Sequence, residues 1–186
     1  MLTNILLFAL WFFFPASIAN SAPVIVTKIP ILKNVNFPLD FYLKLKGKRL
    51  IGPHKTLSGF TLGIMAGTTA AYLQKLLIEY DPTLMLFIPE HYAETNIILI
   101  GFLLSIGALT GNTLKSILKR QAGIKPGVSW FPYDEVDYIV GALIFTLPII
   151  QLDLRVYFMI LFIWFFMYPA ALLMQGYLNL GPHPKR

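Results

Sequence analysis

The sequence predicts an all-α membrane protein of five transmembrane helices on three observations: too few charges, long apolar runs, and basic residues sorted between loops. Of its 186 residues 56% are hydrophobic and 13% charged, with a mean hydropathy of +0.67; a soluble domain of this size needs far more charge to cover its surface. The apolar residues lie in continuous runs such as Val156–Leu173. Barrel strands would instead alternate in short segments, and in lipid only helices and closed barrels satisfy the backbone. The length suits one bundle, so residues 1–186 are expected to form a single integral membrane domain. There are no cysteines, which excludes disulfides and thiolate metal sites.

Five spans follow in order: about Leu2–Ala19, Leu57–Ile78, Ile97–Leu118, Val136–Leu152 and Val156–Leu173. A span takes roughly twenty apolar residues. The fourth falls short and contains Pro148, so it is placed inside the bundle, where neighbours tolerate a short or bent element. The first run is read as a span and not a signal peptide, although Ala19-Asn20-Ser21-Ala22 offers small residues, because no Lys or Arg precedes it. Between spans one and two stand Lys28, Lys33, Lys44, Lys46, Lys48, Arg49 and Lys55 against the single acid Asp40. Lys119, Arg120 and Lys125 follow span three, and Lys185-Arg186 closes the chain. The second loop is acidic, with Glu79, Asp81, Glu90 and Glu94. Basic loops stay cytoplasmic, which puts the N-terminus outside, the C-terminus inside and two basic loops on the cytoplasmic face. Gly59-x3-Gly63-x3-Gly67 and Gly107-x3-Gly111 have the spacing that lets helices approach closely in lipid.

Three segments carry candidate chemistry. At the end of span three, Asn112, Ser116 and Lys119 lie three or four residues apart and, with Lys115 roughly alongside, share one broad face, with Arg120 and Lys125 beyond. Anchoring beside lipid head groups is the plain reading of such cations. At the entry to span four, Asp134 and Asp137 project to the same side. Two carboxylates at a membrane boundary are expensive unless they bind something, and Mg²⁺ takes one or two carboxylates plus substrate phosphates. Asp134 equally suits a helix cap; Asp137, nearer the apolar run, reads as functional. In the first loop, Gly47-Lys48-Arg49-Leu50-Ile51-Gly52-Pro53-His54-Lys55-Thr56 offers glycines, a lysine and a hydroxyl to a phosphate. It is not a Walker A sequence. All three segments fall on one membrane face, and together they supply the parts of phosphoryl transfer onto a lipid.

On these residues the chain resembles the CDP-archaeol synthases, relatives of the CDP-diacylglycerol synthases. The resemblance is carried by Pro15-x3-Ala19-Asn20-x2-Pro23, Gly47-x-Arg49-x2-Gly52-Pro53-x-Lys55-Thr56-x2-Gly59, Gly107-x3-Gly111-Asn112-x3-Ser116-x2-Lys119-Arg120, Lys125-Pro126-Gly127 and Pro132-x-Asp134-x2-Asp137. It implies five transmembrane helices in an archaeal cell membrane, with the active site facing the cytoplasm. The implied reaction joins CTP to 2,3-di-O-geranylgeranylglyceryl phosphate and releases pyrophosphate; the implied partners are those two substrates and the bilayer, with no nucleic acid. It also implies Mg²⁺ on Asp134 and Asp137, with Lys119 and Arg120 beside them as catalytic residues. Asn20, Lys55, Thr56, Asn112, Ser116, Lys125 and Gly127 are the implied substrate-binding set. The chain departs from the family where Asn112 replaces the usual Asp and Glu135 the usual Gln; Glu135 is a candidate to restore the missing carboxylate. A CDP-alcohol phosphotransferase is disfavoured, since its aspartate signature is absent. A transporter or lipid/nucleotide-binding protein without turnover is the alternative, although a transporter would want ionisable groups at mid-membrane. A scaffold would have no use for Asp134 and Asp137.

Overall fold

The structure, a computed structural model, describes residues 1–26, 37–45, 47–52, 55–125 and 128–177. All five apolar runs are helical: α1 (Leu2–Val26), α2 (Leu57–Tyr80), α4 (Ile97–Gln121), α5 (Tyr133–Thr146) and α6 (Leu154–Tyr177). A single turn, α3 (Glu90–Ala93), and a 3₁₀ turn at Pro82–Leu86 fill the connection between α2 and α4. The first loop forms a hairpin of β1 (Lys44–Leu45) and β2 (Lys48–Arg49), paired antiparallel with Lys44 opposite Arg49. Gly47 supplies the left-handed position of its turn, φ +77°.

Local chemistry sets the helix ends. Thr56 Oγ1 accepts from Gly59 N at 3.2 Å and Asn96 Oδ1 from Leu99 N at 3.1 Å, capping α2 and α4. Helix α4 stops at Gly123, φ +81°. There Gly123 N donates to Arg120 O and Ile124 N to Lys119 O, the paired bonds of a Schellman turn. Two helices differ most from expectation. Helix α1 runs past Ala19 to Val26. Helix α5 begins at Tyr133, and it ends at Thr146, short of the expected Leu152; Pro148 has no N–H to continue the ladder, and its ring would strike the carbonyl four residues back. At 1.5 Å per residue α5 is about 21 Å long, below the ~30 Å of a hydrocarbon core. The expectation that this element is short holds.

Helix α4 packs against α1, α2 and α5, and α6 closes the bundle against α1 and α5. The core is aromatic and aliphatic: Phe8, Phe12, Phe13, Ile100, Leu104, Ile139 and Ile160 are fully buried. The outside is also apolar, with Phe158, Phe162, Val140 and Ile144 exposed, a surface suited to lipid and not to water. Among the described residues, Leu2–Pro23 and Ile97–Gln121 are long and apolar enough to cross a membrane, and Leu154–Met167 is a shorter apolar stretch. At one end of the bundle, Asn4 Nδ2 donates to Leu86 O at 3.0 Å and Phe8 packs edge-on to Tyr92. The hairpin, the end of α4 and the start of α5 meet at the other.

Candidate functional site

That second end is charged. On α4 the glycines set the geometry: a Cβ on Gly111 would run into the Asp137 carbonyl, and one on Gly141 into the Gly107 carbonyl. The helices therefore touch backbone to backbone, which brings the last turns of α4 over the first turns of α5. Lys115, one turn beyond Gly111, places its Nζ 2.8 Å from Asp134 Oδ1 and 3.0 Å from Asp137 Oδ2. Lys119 Nζ lies 2.9 Å from Asp134 Oδ2, which also accepts from Trp130 N at 2.6 Å. The spacing argument that put both aspartates on one side matches this geometry. Asp134 is not the cap residue of α5; that position is Pro132.

The two carboxylates differ. Both oxygens of Asp134 are engaged by cations or backbone. Asp137 is nearly sealed, its side chain 6% exposed, and among the described residues its ion-pair partner is Lys115 alone, 3.0 Å from Oδ2. A carboxylate so buried would be costly without that partner.

A second chain of contacts crosses three elements. Lys55 Nζ donates to Asn112 Oδ1 at 2.7 Å, and Asn112 Nδ2 donates to Asn20 Oδ1 at 2.7 Å. Asn112 thus acts as a hydrogen-bond relay between the first loop and α1. Partial burial and the nearby Lys115 charge pull the Lys55 ammonium down to a pKa of about 8, against the opposing pull of Asp137 and Asp134.

The first loop is organised by Asp40, fully buried. Its carboxylate accepts from Ile51 N (3.1 Å), Gly52 N (3.2 Å) and Tyr42 N (3.1 Å), and it pairs with Arg49 through two bonds of 3.1 Å. Burial alone would raise this carboxyl, but Arg49 and the three amides hold it at about 2. Arg49 also stacks over Tyr42, 5.0 Å from the ring centre. Lys48 Nζ donates to Gln121 O at 3.2 Å, and Arg120 Nε to Ile51 O at 3.3 Å. The loop is thereby docked on the end of α4.

The sequence-derived set divides accordingly. Asn20, Lys55, Asn112, Lys119, Asp134 and Asp137 come together in one connected site. Thr56 caps α2, and Ser116 donates to Asn112 O within its own helix at 2.9 Å. Arg120 faces the loops, donating to the carbonyls of Ile51 and Ile124. Lys125 is exposed; Gly127, like His54, lies outside the described residues. Glu135 is buried on the next face of α5, with Oε2 unpartnered. No group of three acidic or histidine side chains suited to a metal forms among the described residues, so Glu135 does not join Asp134 and Asp137 in one. Lys115 was legible only as one member of a cationic face; its i−4 relation to Lys119 signals the face but not the cross-helix pairing. Nor did the sequence show that Asp40 anchors the loop.

Beside the charged cluster, an apolar groove of about 290 Å³ between α4 and α5 is lined by Leu114, Leu118, Tyr133, Val140 and Ile144, with Lys115 and Asp137 at its polar edge. The carboxylate pair fits a divalent cation by its donor set: two largely buried carboxylates, already drawn to one cationic group, offer the hard oxygens that suit Mg²⁺.

Fold and site together define a helical membrane protein with a cluster of lysines and aspartates at one end of the bundle, beside an apolar groove. Comparison with known proteins narrows the class. The family model described as CarS-like, CDP-archaeol synthase, matches residues 2–181. CDP-archaeol synthase of Pyrococcus furiosus is 32% identical over 142 residues, covering 76% of this chain and 75% of that protein. The synthase of Methanocaldococcus jannaschii is 30% identical over 148 residues, 78% and 77% of the two chains. A solved structure, described as an intramembrane enzyme for archaeal membrane lipid biosynthesis, superposes with a TM-score of 0.70 at 27% identity over 88% of this chain and 91% of that one. The chain belongs to the CDP-archaeol synthase family.

Proposed function

We propose that this chain transfers the cytidylyl group of CTP to 2,3-di-O-geranylgeranylglyceryl phosphate, giving unsaturated CDP-archaeol and pyrophosphate. The observation that carries the reading is the placement of the Lys55, Lys115, Lys119, Asp134 and Asp137 cluster at the edge of an apolar groove between α4 and α5. A polar phosphate can reach the charges while its prenyl chains stay in the apolar surroundings. Family membership agrees with this chemistry.

The lipid phosphate is the nucleophile. With a second pKa near 6 it is largely dianionic at neutral pH, so it needs no general base, and no histidine stands in the site among the described residues. Its oxygen forms a bond to the α-phosphorus of CTP as the bond to the β-phosphate oxygen breaks, and pyrophosphate departs with that electron pair. Lys55 and Lys119 bind phosphate oxygens and offset charge as it develops. Asn112 fixes the direction of the Lys55 ammonium, and Asp134 holds Lys119 until substrate arrives. Asp137, with Asp134, would hold Mg²⁺, which when bound supplies charge neutralisation at the CTP phosphates. Lys125 and Gly127 belong to the loop that flanks the nucleotide in this reading. The membrane arrangement follows the charge pattern: five spans, N-terminus outside, C-terminus and site on the cytoplasmic side.

The test is pyrophosphate release by detergent-purified protein given CTP, Mg²⁺ and the lipid phosphate, with Asp137→Ala alongside. Turnover is expected only with all three, and Asp137→Ala is expected to lower it about 100- to 1,000-fold, the effect of losing one preorganised electrostatic contact. A folded Asp137→Ala protein with undiminished turnover would remove Asp137 from the reaction.

A further inference from the structure

Lys115 stands where a bound cation would stand. Its ammonium bridges the two carboxylates at 2.8 and 3.0 Å, and its side chain is only 15% exposed. Asp134 does not depend on it, since Lys119 and the Trp130 amide already hold that carboxylate. Asp137 does, because among the described residues Lys115 is the cation within ion-pair distance of it, 3.0 Å from Oδ2. Asn112, one turn earlier on α4, adds no negative charge and is engaged by Lys55 and Asn20. Two carboxylates thus face the ammonium groups of Lys115, Lys119 and Lys55 before any metal arrives. A second cation brought close to an ammonium is opposed by like-charge repulsion, more strongly in a partly buried site than in water.

Resting on the assignment of the Asp134–Asp137 pair as the cation site, we propose that Lys115 is a built-in competitor of the divalent cation, holding the carboxylates in the metal-free chain and withdrawing when metal binds. The lysine keeps a buried acid pair paired while the site is empty, where a lone carboxylate would be expensive. It also makes the site a poor trap for metal alone. An arriving nucleotide polyphosphate offers the displaced ammonium new anionic partners, so metal and nucleotide bind together better than either binds singly. Such coupling is reciprocal.

The experiment measures Mn²⁺ binding to the nucleotide-free full chain in detergent, by the electron paramagnetic resonance signal of free Mn²⁺. Lys115→Met is expected to bind Mn²⁺ at least about tenfold more tightly than the unaltered chain. Lys115→Arg, which keeps the charge, should stay weak, and adding Asp137→Asn to Lys115→Met should abolish the gain. A second measurement uses the unaltered chain: the rate at which Lys115 is reductively methylated should rise when Mn²⁺ saturates the site. Equal or weaker Mn²⁺ binding by folded Lys115→Met would overturn the proposal. So would a Lys115 methylation rate indifferent to Mn²⁺, which decides the matter if the variant does not fold. Pyrophosphate release from CTP is read separately. A gain in Mn²⁺ affinity without turnover in any form would sink the assigned reaction and leave the lysine's role standing; turnover without the gain would do the reverse.

Discussion

Lys55 is the residue whose protonation the surroundings disturb most usefully. Its ammonium is pulled down to about 8, first by burial and then by Lys115. In the folded chain it is therefore largely neutral between about 8 and the ordinary 10.5, where the unfolded chain still holds its proton. By linkage the stability deficit of burying this charge is fully present below pH 8 and is relieved as pH rises through that window. Binding of an anion runs the opposite way, because the neutral amine attracts phosphate poorly. We expect kcat/KM for CTP to fall as pH rises above about 8, while kcat, measured with polyphosphate bound and the ammonium stabilised, falls at higher pH. Lys55→Arg, charged throughout this range, should flatten the fall in kcat/KM; a wild-type profile already flat to pH 9.5 would show that Lys55 does not meet phosphate. The pairings of Lys115 and Asp40 were not legible in the sequence for a common reason. Asp40 meets Arg49 nine positions away through a turn with Phe41 and Tyr42 at φ +44° and +65°, a backbone state that side-chain patterning does not announce. Lys115 meets Asp134 and Asp137 across a helix pair whose register depends on where two glycines touch.

At the scale of elements, the contact of α4 with α5 decides whether the site exists. Gly111 and Gly141 permit it, and the polar pairs one turn beyond depend on it. Gly111→Ala is expected to lower stability by about 1–3 kcal/mol, the usual cost of overpacking a tight contact. It should lower turnover as well, since it forces Lys115 and Asp137 apart. Thermal unfolding and pyrophosphate release measured on the same preparation check both, and an unshifted melting temperature would show that the helices are less closely apposed than described. The five helices themselves were readable because long apolar runs leave little choice of structure in lipid. Their ends were less so: hydropathy carries the fourth run on to Leu152, whereas Pro148 halts it, and nothing in composition extends α1 to Val26.

On the scale of the whole molecule, charge is segregated between the two ends of the bundle. The hairpin cations, Lys119 and Arg120 gather at the site end, and the acidic connection after α2 lies beside the start of α1. This separation was plain in the sequence, as was the convergence of three polar segments on one face. The membrane orientation inferred from it has a direct check, because the chain contains no cysteine. A single cysteine at Lys125 should react with an impermeant maleimide only from the cytoplasmic side, and one at Glu94 only from the outside. Reaction of both from the same side would refute the five-span arrangement.

The most direct test of the central claim is the identity of the product. The purified chain, reconstituted in bilayers containing 2,3-di-O-geranylgeranylglyceryl phosphate, is given CTP and Mg²⁺, and its lipids are analysed by mass spectrometry. A CDP-linked geranylgeranyl ether lipid, formed in step with pyrophosphate, is the expected result. Persistence of the lipid phosphate unchanged, in protein that binds CTP and is folded, would contradict the assigned reaction.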